Sequence, residues 1–212
     1  MSDPGRRSEL RTDFSAVEAR VRAILQRRQR VWLGDLEPRQ SSQASERLVP
    51  AAVAVLLERT PGYNVVLTKR TDSVEHHKGE ISLAGGAQDP EDDDVVATAL
   101  RETHEEIGVH PSHVSVLGSL DGLVTVTGFR VEPVVCAVDA GLEYRPQARE
   151  VERILSIPIH VLRAPESWFE DERTWRGKTY RLRSCRHGND VVWGATSRIL
   201  QNLLDAIPPD IL

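Results

Sequence analysis

Cysteine is nearly absent from this chain. Only Cys136 and Cys185 occur among 212 residues. Two cysteines cannot build a disulfide framework, and these two lack metal-ligand spacing, so a reducing compartment is expected. Long apolar runs are missing as well, and none approaches the length of a membrane span. An excess of positive charge is also lacking. The net charge of −5 argues against a general nucleic-acid binder, which is usually basic. The opening "MSDPGRRSELRTD" is followed by no apolar core of the secretory type, and the closing "PPDIL" matches no retention or peroxisomal address. The expectation is a cytoplasmic protein with no nucleic-acid or membrane partner, and a homodimer stays open.

What is present is ordinary for a soluble globular protein, with 40 % apolar and 28 % charged residues and no internal repeat or low-complexity tract. Residues 13–31 place Phe14, Val17, Val21, Ile24 and Leu25 at helical spacing after a candidate cap, Asp13. The polar face of this helix carries Arg20, Arg22, Arg27, Arg28 and Arg30, read as a solvated face. Residues 34–47 are polar and rich in breakers, the texture of a linker. Residues 1–46 are therefore expected to form an N-terminal helix and linker ahead of a domain at 47–212.

Within that domain, "VPAAVAVLLE" (49–58) and "VVLTKR" (65–70) flank a "PGYN" turn and suggest a hairpin or meander. Residues 71–94 read as loop. A helix is predicted over 95–107, with Val96, Ala99, Leu100, Thr103 and Ile107 on one side and Gly108 as its stop. Strands follow at 113–120, 123–138 and 151–159, then a hairpin around Arg176-Gly177, and finally an amphipathic helix over 195–207. This order implies an α/β protein of α+β type, a sandwich with a mixed sheet and not a doubly wound parallel one.

The helix at 95–107 carries the chemistry. At about 100° per residue, Glu102, Glu105 and Glu106 fall within roughly a 100° arc. Three carboxylates so close raise one another's pKa values unless a cation offsets the repulsion, and hard divalent ions such as Mg²⁺ or Mn²⁺ prefer such oxygen ligands. A solvated acidic face is the competing reading. The preceding "GGAQDPEDDD" (85–94) favours the first, because a glycine loop leading into an acidic helix outlines a metal–phosphate site. Arg101 is placed to fold back onto an acid of that loop.

"GGAQDPEDDDVVATALRETHEEIGV" resembles the Nudix box, the loop–helix–loop of the Nudix hydrolases. Arg101, Glu102, Glu105, Glu106 and Gly108 match its Arg-Glu-aliphatic-x-Glu-Glu-x-Gly ending. Thr103 replaces the usual aliphatic residue, and the gap between Gly86 and Arg101 is one residue longer than standard. A branch resembling coenzyme A pyrophosphatases shares the longer gap, with an Asp where Asp92 stands. Leu67, Thr68, Arg70, Gly79, Gly85 and Gly86 are in register with its upstream element, whereas Glu75 and Leu83-Ala84 depart from it. Downstream, "GFRVEPVV" (128–135) and "WGATSRIL" (193–200) are similar to the branch's late strand and closing helix.

The resemblance implies a Nudix-like α-β-α sandwich and metal-dependent hydrolysis of a small nucleoside diphosphate derivative. It implies metal ligation of Mg²⁺ or Mn²⁺ by Glu102, Glu105, Glu106 and the Gly86 carbonyl, with Arg101 orienting the glutamates through Asp92. In some members a box glutamate is the general base and in others an acid elsewhere; Glu102 is the first candidate here. Arg70, His77 and Lys78 are candidate contacts to substrate phosphates, against ordinary surface charge. His104 is read as a bystander, and Trp193 as either a core residue or a stacking partner for adenine. Coenzyme A or its derivatives is the first substrate expectation. ADP-ribose, a dinucleotide or a damaged nucleotide is the second, and a non-catalytic nucleotide-binding module is the third.

Overall fold

The computed structural model describes residues 13–35, 48–72, 79–175 and 177–212. The chain runs α1 (Phe14–Arg27), β1 (Trp32–Gly34), β2 (Val49–Arg59), β3 (Asn64–Arg70), β4 (Ile81–Ser82), β5 (Ala84–Ala87) and α2 (Val95–Ile107). It continues through β6 (Ser115–Ser119), β7 (Gly122–Val124), β8 (Phe129–Asp139), β9 (Val151–Pro158), α3 (Ile159–Arg163), β10 (Trp168–Trp175), β11 (Lys178–His187), β12 (Asp190–Val192) and α4 (Gly194–Ala206).

β2 is apolar on both faces because both are covered. Ala51, Val55 and Leu57 pack toward α1, α3 and α4, through Val21, Leu25, Leu162, Ile199, Leu200 and Leu203. Ala52, Ala54 and Leu56 face the opposite layer, where Ala99 and Ile107 of α2 are buried. The strand period of two thus divides one strand between two cores. In the main sheet β2 lies parallel to β8 and antiparallel to β3 and β5. The order β1-β7-β8-β2-β3-β4, with β5, β6 and β9 also attached, makes the sheet mixed. β10, β11 and β12 form a second, antiparallel sheet. The architecture is the expected α+β type, with helices on both faces of a mixed sheet.

Several local readings change. The first helix stops at Arg28 (φ −77°, ψ 130°) instead of continuing to residue 31. Tertiary pairing draws the next residues away: Arg28 donates to Asp121 at 2.6 Å, and Arg30 donates to the Leu120 carbonyl and to Glu132. The arginine face is therefore largely a set of tertiary clamps, with Arg20 reaching Asp210. Val21 and Leu25 share a core with β2, β8 and α4, so residues 14–34 pack into the body that follows them. The loop expected at 71–94 contains β4 and β5, which pair with β3 and β2; a glycine pair hides strand propensity that tertiary pairing supplies. The single strand read at 123–138 is two, β7 and β8, joined by a turn in which Gly128 takes φ +91°. Of the linker read at 34–47, Gly34 ends β1, and residues 36–47, like Arg176, lie outside the described residues. No described helix is long and apolar enough to cross a membrane.

Candidate active site

α2 starts on an acidic cap and ends on glycine. The Asp94 carboxylate accepts the Ala97 amide at 2.8 Å, which satisfies one of the helix's unpaired N–H groups. At the other end Gly108 (φ 74°) donates its N–H to the His104 carbonyl at 2.9 Å. A Cβ there would lie 2.8 Å from Arg145 Cβ, so the glycine also admits the following loop. Thr103 is fully buried on the apolar side and donates its hydroxyl to the Ala99 carbonyl at 2.7 Å. It replaces an aliphatic residue without leaving a buried donor unpaired.

β5 brings Gly85 and Gly86 under this helix. A Cβ on Gly85 would meet the Ala52 carbonyl oxygen at 2.3 Å, and one on Gly86 would meet Glu102 Oε1 at 2.4 Å. The absent side chain at residue 86 is what lets the Glu102 carboxylate lie against the backbone. The three glutamates share one side of the helix but not one environment. The side chains of Glu102, Glu105 and Glu106 are 17 %, 56 % and 6 % exposed, respectively.

Arg101 organises the two outer members. Its Nε and Nη2 grip Asp92 bidentately at 3.0 Å each, Nη2 also donates to the Ala87 carbonyl at 3.1 Å, and Nη1 donates to Glu102 and Glu105 at 2.8 and 3.0 Å. This guanidinium holds the Asp92 carboxyl at about 2, below the usual range. Burial raises Glu102 against the pull of Arg101. Burial also raises Glu106, to about 8, with the Arg70 guanidinium and the Gly85 amide acting in the opposite direction.

Glu106 Oε2 and Arg70 Nε are both buried without a hydrogen-bond partner. Arg70 Nη1 lies 3.9 Å from Glu106 Oε1 and Nη2 lies 3.7 Å from Glu150 Oε2, both too long for hydrogen bonds. Sequence reasoning did not single out Glu150. It lies far along the chain, in the loop just before β9, and only the folding of that loop back onto α2 brings it here. The carbonyl of Ala87 as a support for Arg101 was likewise invisible.

The other predicted positions are scattered or undescribed. His77 and Lys78, like His76 and Glu75, lie outside the described residues. Lys69 pairs with Glu152 at 3.4 Å. His104 is exposed and edge-on to His110. Trp193 is half-buried, with the Arg173 guanidinium 4.9 Å from its ring centre. A cleft of about 240 Å³ opens elsewhere, between the end of β1, the β10–β11 ribbon and the first turns of α4, with Arg181, Arg183 and Arg198 on its walls. It contains none of the α2 glutamates, and the chemistry of the donor groups places the candidate site at α2 instead.

Among the described residues, no three His, Cys, Asp or Glu side chains are already gathered for a cation, and Arg101 takes one oxygen each of Glu102 and Glu105. The donors nonetheless fit a hard divalent ion. All are carboxylate or carbonyl oxygens, and Glu106 Oε2 is a buried acceptor with nothing to accept.

A mixed sheet thus lies between helices, with an acidic helix docked over a glycine pair. Residues 48–175 match the NUDIX domain model. "Uncharacterized Nudix hydrolase NudL" of Yersinia pestis (strain Pestoides F) is 31 % identical over 157 residues, covering 74 % of this chain and 79 % of that protein. The same figures hold for the protein of that name in Yersinia pseudotuberculosis serotype O:1b (strain IP 31758). Among solved structures, a C. elegans Ap4A hydrolase binary complex aligns at 15 % identity and a TM-score of 0.46, over 52 % of this chain and 80 % of that one. The chain belongs to the Nudix hydrolase family.

Proposed function

We propose that this hydrolase cleaves the diphosphate bond of coenzyme A or its derivatives, giving 3′,5′-ADP and phosphopantetheine. Water adds to one phosphorus, the bridging P–O bond breaks, and the bridging oxygen leaves on the other phosphate. The observation that carries the chemistry is the buried, unpartnered Glu106 oxygen beside Glu102 and the Gly85–Gly86 backbone. The substrate assignment rests on the register of Leu67, Thr68, Arg70, Gly79, Gly85 and Gly86 with the coenzyme A element.

Glu102, Glu105, Glu106 and the Gly86 carbonyl are the proposed ligands of Mg²⁺ or Mn²⁺, which would neutralise the diphosphate and acidify the attacking water. Arg101 is a positioning residue. Its five N–H donors hold the Asp92 loop, the Ala87 carbonyl and two glutamates, so the carboxylates are oriented before a ligand arrives. Arg70, whose buried Nε–H has no partner, is proposed to contact a phosphate oxygen, and His77 and Lys78 are proposed to add to that contact. Glu102, raised by burial and touching Arg101, is the proposed acceptor of the water proton.

The test is a panel of diphosphates, namely coenzyme A, dephospho-coenzyme A, ADP-ribose and a dinucleoside polyphosphate, incubated with purified protein and Mg²⁺ or Mn²⁺ and resolved by chromatography. Fastest turnover of coenzyme A to 3′,5′-ADP is expected. Preference for ADP-ribose or the dinucleotide would move the substrate within the family. Tight nucleotide binding with no product would indicate a binding module.

A further inference from the structure

Two buried polar atoms without partners, Glu106 Oε2 and Arg70 Nε, sit on either side of one loose ion pair. An arginine beside a buried carboxylate ordinarily closes on it bidentately, because an unpaired buried polar group is costly. Here the guanidinium stops at 3.9 Å, and on its far side stands Glu150 at 3.7 Å.

The backbone makes this spacing reproducible. The Gln147 amide donates to the Glu106 carbonyl at 2.8 Å, and the Arg145 amide donates to the Ile107 carbonyl at 2.8 Å, so the loop before β9 caps the end of α2. One turn later the amides of Glu150 and Val151 both donate to the Gln147 carbonyl. From the other side the Thr71 amide donates to the Glu150 carbonyl, and the Thr71 hydroxyl donates to the Arg149 carbonyl, each at 2.9 Å. The β3–β9 register also shifts between Lys69 and Arg70, a bulge that re-aims the arginine at the site. The Cα of Glu150 is thereby tied both to α2 through Gln147 and to the strand that carries Arg70.

We propose that Glu150 is a positioning residue that holds the Arg70 guanidinium off Glu106. Glu106 then keeps a free oxygen for a divalent cation, and Arg70 keeps a free N–H for an anionic oxygen. This rests on the cation-binding reading of the glutamates given above. Glu150 itself is half-exposed and need not touch the cation. Its effect passes through Arg70, and that separates it from a ligand or a remote charge.

The test is Mn²⁺ binding without substrate, by calorimetry or by the paramagnetic signal of free Mn²⁺, for the wild type, Glu150→Gln, Arg70→Met and the double variant. Glu150→Gln lets Arg70 close on Glu106 and weakens Mn²⁺ binding about tenfold, the scale on which partners of metal ligands act. Glu150→Asp, which keeps the charge, retains most of the affinity. In the Arg70→Met background Glu150→Gln changes affinity by less than about twofold, because no guanidinium remains to hold back. An equal loss in both backgrounds overturns the proposal and makes Glu150 a ligand or a direct electrostatic contributor. An unchanged affinity in Glu150→Gln overturns it too. If the wild type itself binds no Mn²⁺, the cation reading fails first and this one falls with it.

Discussion

Replacing Glu106 by Gln removes a charge from a place where charge is costly, so the metal-free protein is expected to gain stability with a definite pH dependence. Burial raises the Glu106 carboxyl from 4.5 to about 8 in the folded chain. A folded-state pKa above the unfolded value means that the carboxyl favours the folded state below about pH 4.5. That contribution is lost as pH rises toward about 8. The interval of 8 − 4.5 at about 1.4 kcal/mol per unit sets a ceiling of ~5 kcal/mol. Relaxation of the surroundings and water penetration reduce the effective cost of a buried charge, so a difference of about 2–3 kcal/mol at pH 8 is expected. Glutamine is neutral throughout and nearly isosteric. Urea unfolding with excess chelator should therefore show the wild type and Glu106→Gln within about 0.5 kcal/mol at pH 4.5, with the variant more stable at pH 8. A divalent ion at a hundred times its Kd should roughly cancel the difference at pH 8, adding about 2.7 kcal/mol to the wild type and little to the variant, and at a thousand times its Kd, where it adds about 4.1 kcal/mol, it should reverse the order. A variant that is less stable than the wild type at pH 8 without metal would refute the reasoning, as would a difference that does not move with pH.

The remaining expectations concern the neighbouring groups. Glu105→Gln alters an exposed side chain; unfolding should shift by less than about 0.5 kcal/mol while steady-state turnover falls by orders of magnitude. Gly86→Ala places a methyl 2.4 Å from Glu102 Oε1; the flexible carboxylate can yield, so thermal melting should change little while turnover drops about a hundredfold, the scale of an ångström misplacement. Arg101→Lys keeps the charge but loses the fork that spans Asp92, Ala87, Glu102 and Glu105; kcat should fall more than KM rises, and a variant kinetically equal to the wild type would remove Arg101 from the positioning role.

The candidate site was legible where its geometry is local. Glu102, Glu105 and Glu106 lie within two turns, so helical periodicity alone puts them on one side of α2, and Gly108 announces the stop. Arg101 folding back onto an acid of the preceding loop was expected, and the family resemblance pointed to Asp92, across the first turns of α2. Which glutamate turns inward did not follow, because it depends on how α2 docks over β5, and Glu105 and Glu106 are neighbours with opposite fates. Glu150 left no trace in the pattern, since only the loop amides capping α2 bring it near Arg70. The fold class followed from the order of apolar segments. β1, β12 and the break between β7 and β8 did not, because three-residue strands carry too little period to separate from loop.

The central claim is that this chain hydrolyses a diphosphate bond with its α2 glutamates, and phosphorus NMR of coenzyme A with the purified protein and Mg²⁺ tests it most directly. The account predicts that the diphosphate resonances disappear and two new phosphate monoester signals grow in equal amounts, beside the unchanged 3′-phosphate of the ADP half. Excess chelator should stop the conversion, and Glu106→Gln should slow it by orders of magnitude. A diphosphate that survives with folded, metal-supplied wild-type protein, or that is cleaved as fast by Glu106→Gln, would contradict it.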